Sequence, residues 1–160
     1  MTDDLAIIKQ MEDYALQKNI PIIDKASGRL LAKIVSERNP QSILEIGTAI
    51  GYSTILMARE ICSAAKITTI ECDPVRISLA VEFLKNSGML DRITILQGDA
   101  KEILPILEGP FDFVFIDAAK GQYLNYLLQV IDKLSCGATV IADNVSFRGM
   151  VNLENPPRRF

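Results

Sequence analysis

The sequence predicts an α/β domain with a doubly wound, mainly parallel sheet, preceded by N-terminal helices. Three observations lead there. Five short runs rich in β-branched and aromatic residues alternate with helical patterns along the chain, and that alternation means right-handed βαβ units. The residues equipped for chemistry fall at the carboxyl ends of those runs, where open α/β sheets bind ligands. The 160 residues, 49% hydrophobic and 23% charged, make one globular domain with a substantial core.

Residues 3–18 place Leu5, Ile8, Met11 and Ala15 at three- and four-residue steps, the pattern of an amphipathic helix, and Asn19-Ile20-Pro21 breaks it. A second helix over 24–37 carries Leu30, Leu31, Ile34 and Val35 and stops before Pro40. Strand-like runs follow at Ser42–Ile46, Ile67–Glu71, Ile93–Gln97, Phe111–Asp117 and Ala138–Asp143, each too short for a full helix. Helical patterns at 52–61, 74–87, 101–107 and 122–134 connect them, the third being the weakest. Asp73-Pro74 sets a capping acid before a proline at the first helical position, and Gly88 closes that helix. No repeat, low-complexity tract or linker interrupts residues 1–160, which read as a single domain.

Composition removes several function classes. No apolar stretch approaches the ~20 residues of a membrane span, and Met1-Thr2-Asp3-Asp4 is acidic where a signal peptide is basic. Cys62, Cys72 and Cys136 are odd in number and scattered, which argues against a disulfide frame or zinc site and for a reducing, cytoplasmic setting. There is no histidine, so acid–base chemistry falls to carboxylates, lysine or tyrosine.

The strand ends carry the functional signal. Asp117 ends the fourth run, with Lys120 just beyond, and Asp143-Asn144 ends the fifth. Neighbouring strands lie about 4.8 Å apart, so Asp117, Asp143 and Asn144 can converge. Three oxygen ligands suit a hard divalent cation such as Mg²⁺. Asp-Asn after a strand is also an ordinary turn signature, and a lone lysine is most often a solvated one. The first run leads into Gly47-Thr48-Ala49-Ile50-Gly51, where glycines let the backbone turn sharply and approach a ligand. Glu71 ends the second run, twenty-four residues after Gly47, and an acid there suits a ribose diol. Asp99 follows the third run, placed to receive an adenine amino group. The Gly-x-x-x-Gly spacing differs from the pattern that cradles a pyrophosphate and favours a nucleoside without phosphate. A tight turn and a solvated strand end would use the same residues.

Five segments, Leu44–Thr54, Thr69–Pro74, Gly98–Ala100, Phe115–Lys120 and Ala142–Val145, resemble in order the motifs of the cation-dependent S-adenosylmethionine O-methyltransferases, which include catechol and caffeoyl-CoA O-methyltransferases. Within that family, Met11–Ala15, Ile20–Ile22 and Lys120–Tyr123 are most similar to the bacterial tRNA 5-hydroxyuridine methyltransferases. The resemblance implies a Rossmann-like class I methyltransferase fold. It implies that Gly47 and Ser53 line the methionine end of the cofactor, that Glu71 binds the ribose, and that Asp99 with Ala100 binds the adenine. Glu45, in the first motif, counts with the cofactor-binding residues, and Ile23 falls where the family folds a segment over the cofactor. Asp117 would serve both cofactor and Mg²⁺, Asp143 and Asn144 would complete the metal ligands, and Lys120 would be the catalytic base.

That chemistry makes sense of the residue types. A neutral hydroxyl is a poor nucleophile, and a divalent cation lowers its pKa and orients it. A lysine beside a cation is pushed toward the neutral form that accepts a proton. An acceptor with oxygens on adjacent carbons has the right bite, as in catechols or 5-hydroxyuridine, and the resemblance leans to the latter in tRNA. The net charge of −3 gives no general attraction to nucleic acid. A local patch would come from Lys18, Lys25, Arg29 and Lys33 with Arg148, Arg158 and Arg159, although such runs are more often solvated faces. The family continues past the fifth strand with a helix and an antiparallel strand pair. This chain therefore reads as C-terminally truncated, or as covering its last strand in a homodimer. The alternatives are a small catechol-like acceptor and an inactive cofactor-binding protein. A nicotinamide oxidoreductase shares the fold, but the glycine spacing and the metal cluster oppose it.

Overall fold

The computed structural model describes residues 2–118 and 121–143. Helix α1 (Thr2–Lys18) and helix α2 (Lys25–Arg38) precede β1 (Ser42–Ile46). Then come α3 (Tyr52–Glu60), β2 (Lys66–Glu71), α4 (Pro74–Asn86), β3 (Ile93–Gln97), α5 (Ala100–Ile103), β4 (Phe111–Ile116), α6 (Tyr123–Val130) and β5 (Leu134–Ala142). All four strand pairings are parallel, in the order β3-β2-β1-β4-β5. The expected doubly wound sheet is present, with its order reversing between β1 and β4.

Local chemistry explains the boundaries. Asp73 caps α4 by accepting from the Val75 and Arg76 amides at 2.8 and 3.3 Å, with Pro74 in the first turn. Asp24 caps α2 through Ala26 and Ser27. Asp112 holds the start of β1, accepting from the amides of Gln41 and Ser42 at 2.7 and 3.0 Å. The weak 101–107 pattern resolves into a single turn of α5 followed by a 3-10 turn at Leu104–Ile106, in which Pro105 sits at the start. A proline there removes an N–H that a longer helix would need.

Strand β5 begins four residues earlier than expected, at Leu134 and not Ala138. Phe111 pairs with Leu134 and Phe113 with Thr139, so a two-residue step along β4 faces a five-residue step along β5. The surplus bulges out, with Gly137 at φ +80. A glycine within a strand marks such a bulge, but in the sequence Ser135-Cys136-Gly137 reads as a turn.

Side chains alternate across the sheet. Ile43, Ile67, Phe113 and Phe115 enter one core with Met11, Leu31, Ile55 and Leu84 from the helices. Leu44, Ile46, Ile70, Val114 and Ile116 enter a second core with Leu104, Tyr126 and Val130. The sheet lies between them, and its hydrogen-bonded register sets the strand ends side by side. No helix among the described residues is long and apolar enough to cross a membrane.

Candidate active site

The parallel ladder continues one residue past β1, β3, β4 and β5, which brings the chemical groups into line. Gly47 donates to the Ile70 carbonyl at 3.0 Å, Asp117 to Ile46 at 2.9 Å, Asp143 to Ile116 at 3.0 Å and Gly98 to Glu71 at 2.9 Å. Asp99, Glu71, Gly47, Asp117 and Asp143 therefore stand along one edge of the sheet. The loops after β1 and β4 leave at the reversal of strand order, the position where such sheets bind ligands.

Gly47 joins the two halves of this edge. Its φ is +105, and a Cβ there would overlap the Asp117 carbonyl oxygen. Only glycine meets both demands. The loop of the expected cofactor site is thus packed directly on the first acid of the expected metal site.

Glu71 is buried, and its carboxylate locks the loop in place. Oε2 accepts from the Ala49 amide at 2.8 Å, while Oε1 accepts from Cys72 and Asp73 at 3.0 and 3.1 Å. Ala49 is held at φ 46, an uncommon conformation for a residue with a side chain. A carboxylate has about four lone-pair sites; three take these amides, and the fourth has only the weak Cys72 thiol donor at 3.6 Å from Oε1. At the end of β3, Asp99 is exposed and caps α5 by accepting from the Lys101 amide at 2.9 Å, with Ala100 buried beside it. Ile23 is buried against the first core. It borders a cleft of about 490 Å³ that also takes in Glu12, Leu16, Pro21, Lys25 and Tyr52.

Glu45 lies deeper than its place in the motif suggests. It points from β1 toward α3 and is fully buried. Oε1 accepts from the Ser53 hydroxyl at 2.6 Å, and Oε2 accepts from Thr54 at 2.5 Å and Thr69 at 2.6 Å. Thr69 also shares a 2.6 Å hydrogen bond with Thr48 in the loop. Burial raises the carboxyl to about 7, against the pull of the three hydroxyls, and Asp117 adds to the rise. Ser53 is accordingly tied to Glu45. Thr48, Thr54 and Thr69 were not candidates in the sequence; for Thr69 the signal was a hydroxyl at a buried position of β2, whereas Thr48 lies in the loop and Thr54 in α3.

Asp117 and Asp143 follow the paired residues Ile116 and Ala142 of β4 and β5, which sets the two acids at adjacent strand ends. Lys120 and Asn144 lie outside the described residues, as do Arg148, Arg158 and Arg159. Among the described residues, no three Asp, Glu, Cys or His side chains gather as a metal site. Tyr123, the first residue of α6, sets a buried phenol oxygen near the two acids, with no hydrogen-bond partner among the described residues. Burial, then Asp117 and Asp143, push that phenol up to about 12. The two carboxylates offer hard oxygen donors of the kind that suits Mg²⁺, and the unpartnered phenol is a hydrogen-bond donor, not a further ligand.

Sheet order, glycine loop and terminal acid of β2 together define a Rossmann-like methyltransferase fold. The family model for O-methyltransferases matches residues 2–159, and the chain belongs to that family. The catechol O-methyltransferase of Niastella koreensis is 38% identical over 131 residues, covering 79% of this chain and 58% of that protein. The caffeoyl-CoA O-methyltransferase of Stellaria longipes is 29% identical, covering 79% of this chain and 55% of that protein. The chain thus spans less than two thirds of the length of these relatives. Among solved structures, the Bacillus cereus O-methyltransferase in complex with SAH superposes with a TM-score of 0.85 at 28% identity, covering 94% of this chain and 73% of that one. TomG of Streptomyces achromogenes, in complex with SAM, gives 0.87 at 30% identity, covering 94% and 70%.

Proposed function

We propose that the chain is an S-adenosylmethionine- and divalent-cation-dependent O-methyltransferase whose acceptor carries a hydroxyl beside a second oxygen, as a catechol does. One observation carries this reading: the close contact of Gly47 with the Asp117 carbonyl, which sets the cofactor loop against the acid pair at the switch point. Relatives acting on catechol and caffeoyl-CoA, and neighbours holding SAH and SAM, support it.

In this reading Glu71 takes the ribose hydroxyls, and Asp99 with Ala100 takes the adenine edge. Glu45 holds Ser53 under the methionine end, and Ile23 closes the N-terminal side. Asp117, Asp143 and Asn144 would hold the cation. When bound, the cofactor supplies an electrophilic methyl group and the cation favours the ionised hydroxyl. Lys120 Nζ takes the hydroxyl proton. The sheet edge fixes the reacting groups relative to one another, which can remove up to roughly 7–11 kcal/mol of the barrier.

The same pair of oxygens occurs in 5-hydroxyuridine of tRNA, a second reading that the motifs at Met11–Ala15, Ile20–Ile22 and Lys120–Tyr123 favour. Electrostatics favours the small acceptor. Lys25 is ion-paired with Glu12 at 2.6 Å and Lys33 with Glu37 at 3.8 Å, so two of the basic groups near α2 are offset locally.

Incubation with methyl-labelled cofactor and Mg²⁺, against a catechol panel and unfractionated tRNA, tests the reading. Label in a catechol is expected. Label in tRNA alone selects the second reading, and label in neither, with cofactor bound, leaves a binding protein.

A further inference from the structure

Tyr123 keeps an oxygen where a phenylalanine would pack. Its ring packs on the second core, against which Ala118 and Ala142, the neighbours of Asp117 and Asp143, also pack. Its phenol oxygen is buried and has no hydrogen-bond partner among the described residues. A buried hydroxyl without a partner lowers stability, and such an atom in a folded protein calls for an explanation. Packing alone gives none, since the ring without its oxygen would fill the same space.

The electrostatic surroundings point to one. The acids that act on this phenol are Asp117 and Asp143. Tyr126, three residues on along α6, instead feels Asp99 and Cys72, toward the other end of the site. A phenol is a donor as well as an acceptor at neutral pH. Hydrogen bonds from outer residues orient the oxygens that hold a metal ion and strengthen its binding.

From this juxtaposition we infer that Tyr123 is a positioning residue of the cation site, its phenol hydrogen-bonding to the oxygen shell that Asp117 and Asp143 organise around a divalent cation. The inference rests on the cation-dependent reading above. It assigns Tyr123 no contact with the transferred methyl group and no role as base.

The test is Tyr123→Phe in the full chain, with Tyr126→Phe as control. Three quantities are read: Mn²⁺ affinity by calorimetry, S-adenosylmethionine affinity, and Tm without metal. Tyr123→Phe should weaken Mn²⁺ binding about 10- to 100-fold and raise the metal-free Tm by about 2–4 °C as the orphaned hydroxyl is removed. Cofactor affinity should stay within twofold, and Tyr126→Phe should leave Mn²⁺ affinity unchanged. Mn²⁺ affinity within twofold of the parent would make Tyr123 a packing residue and overturn the inference alone. A parallel loss of cofactor affinity would also overturn it, because the variant would have lost the shape of the whole site. A parent that takes up no Mn²⁺ overturns the cation reading and the inference together.

Discussion

Thr69 donates its hydroxyl to Glu45 at 2.6 Å, and the two residues are direct register partners on β2 and β1. That bond uses the only proton Thr69 has. With Glu45 ionised, the 2.6 Å contact between Thr48 and Thr69 must then take its proton from Thr48. A one-way chain runs from the glycine loop through β2 into the buried carboxylate. Thr69→Val keeps the shape and removes both links. We expect a loss of about 1–3 kcal/mol, seen as a Tm lowered by roughly 2–10 °C. An unchanged Tm in thermal denaturation would show that the chain contributes nothing.

Glu45 makes stability depend on pH. Its folded value, about 7, lies above the 4.5 of a free glutamate side chain. Between these values the folded state keeps the proton and the unfolded state releases it. Its contribution is therefore full below 4.5 and lost as pH rises to about 7, by at most roughly 3 kcal/mol. Glu45→Gln should flatten that part of the profile. Urea midpoints measured across this window would contradict the assignment if the parent and the variant had the same slope.

Gly47→Ala meets both a positive φ and the Asp117 carbonyl. Each is a backbone conflict, so relief requires the loop or the end of β4 to move. A cost of about 1–3 kcal/mol is expected, with weaker binding of both cofactor and Mn²⁺. Calorimetry should register both losses; a change in only one would mean that the two halves of the edge are not mechanically joined.

Glu71→Ala should lower S-adenosylmethionine affinity roughly ten- to a hundredfold, the worth of a charged hydrogen bond. It should also lower Tm, because the amides of Ala49, Cys72 and Asp73 lose their acceptor. The ligand effect is measured by calorimetry below the lowered Tm. Identical dissociation constants for variant and parent would remove Glu71 from the cofactor site.

Much of this was legible in the sequence, for identifiable reasons. β1 and β3 match their expected runs residue for residue: β1 because a buried parallel strand is a nearly continuous hydrophobic segment bounded by polar turns, and β3 because its isoleucines and threonine suit a strand. The strand-end placement of Gly47, Glu71, Asp99, Asp117 and Asp143 followed from the same periodicity. The start of β5 did not, since a bulge carrying Gly137 has the composition of a turn. The setting of Glu45 did not either. An acid in a motif reads as a ligand contact until the facing hydroxyls of Ser53, Thr54 and Thr69 are placed around it, and those come from two other elements. The phenol of Tyr123 was hidden for a similar reason: its meaning depends on which acids α6 sets beside it.

In the proposed reaction, cofactor and cation act on one acceptor at this edge. The most direct test is transfer of labelled methyl from S-adenosylmethionine to a catechol, run with Mg²⁺, with EDTA, and with Asp143→Ala in Mg²⁺. Transfer is expected in the first reaction only, with cofactor binding by Asp143→Ala nearly intact because the contacts proposed for the cofactor come mainly from β1 to β3. Undiminished transfer in EDTA, or by Asp143→Ala, would contradict it.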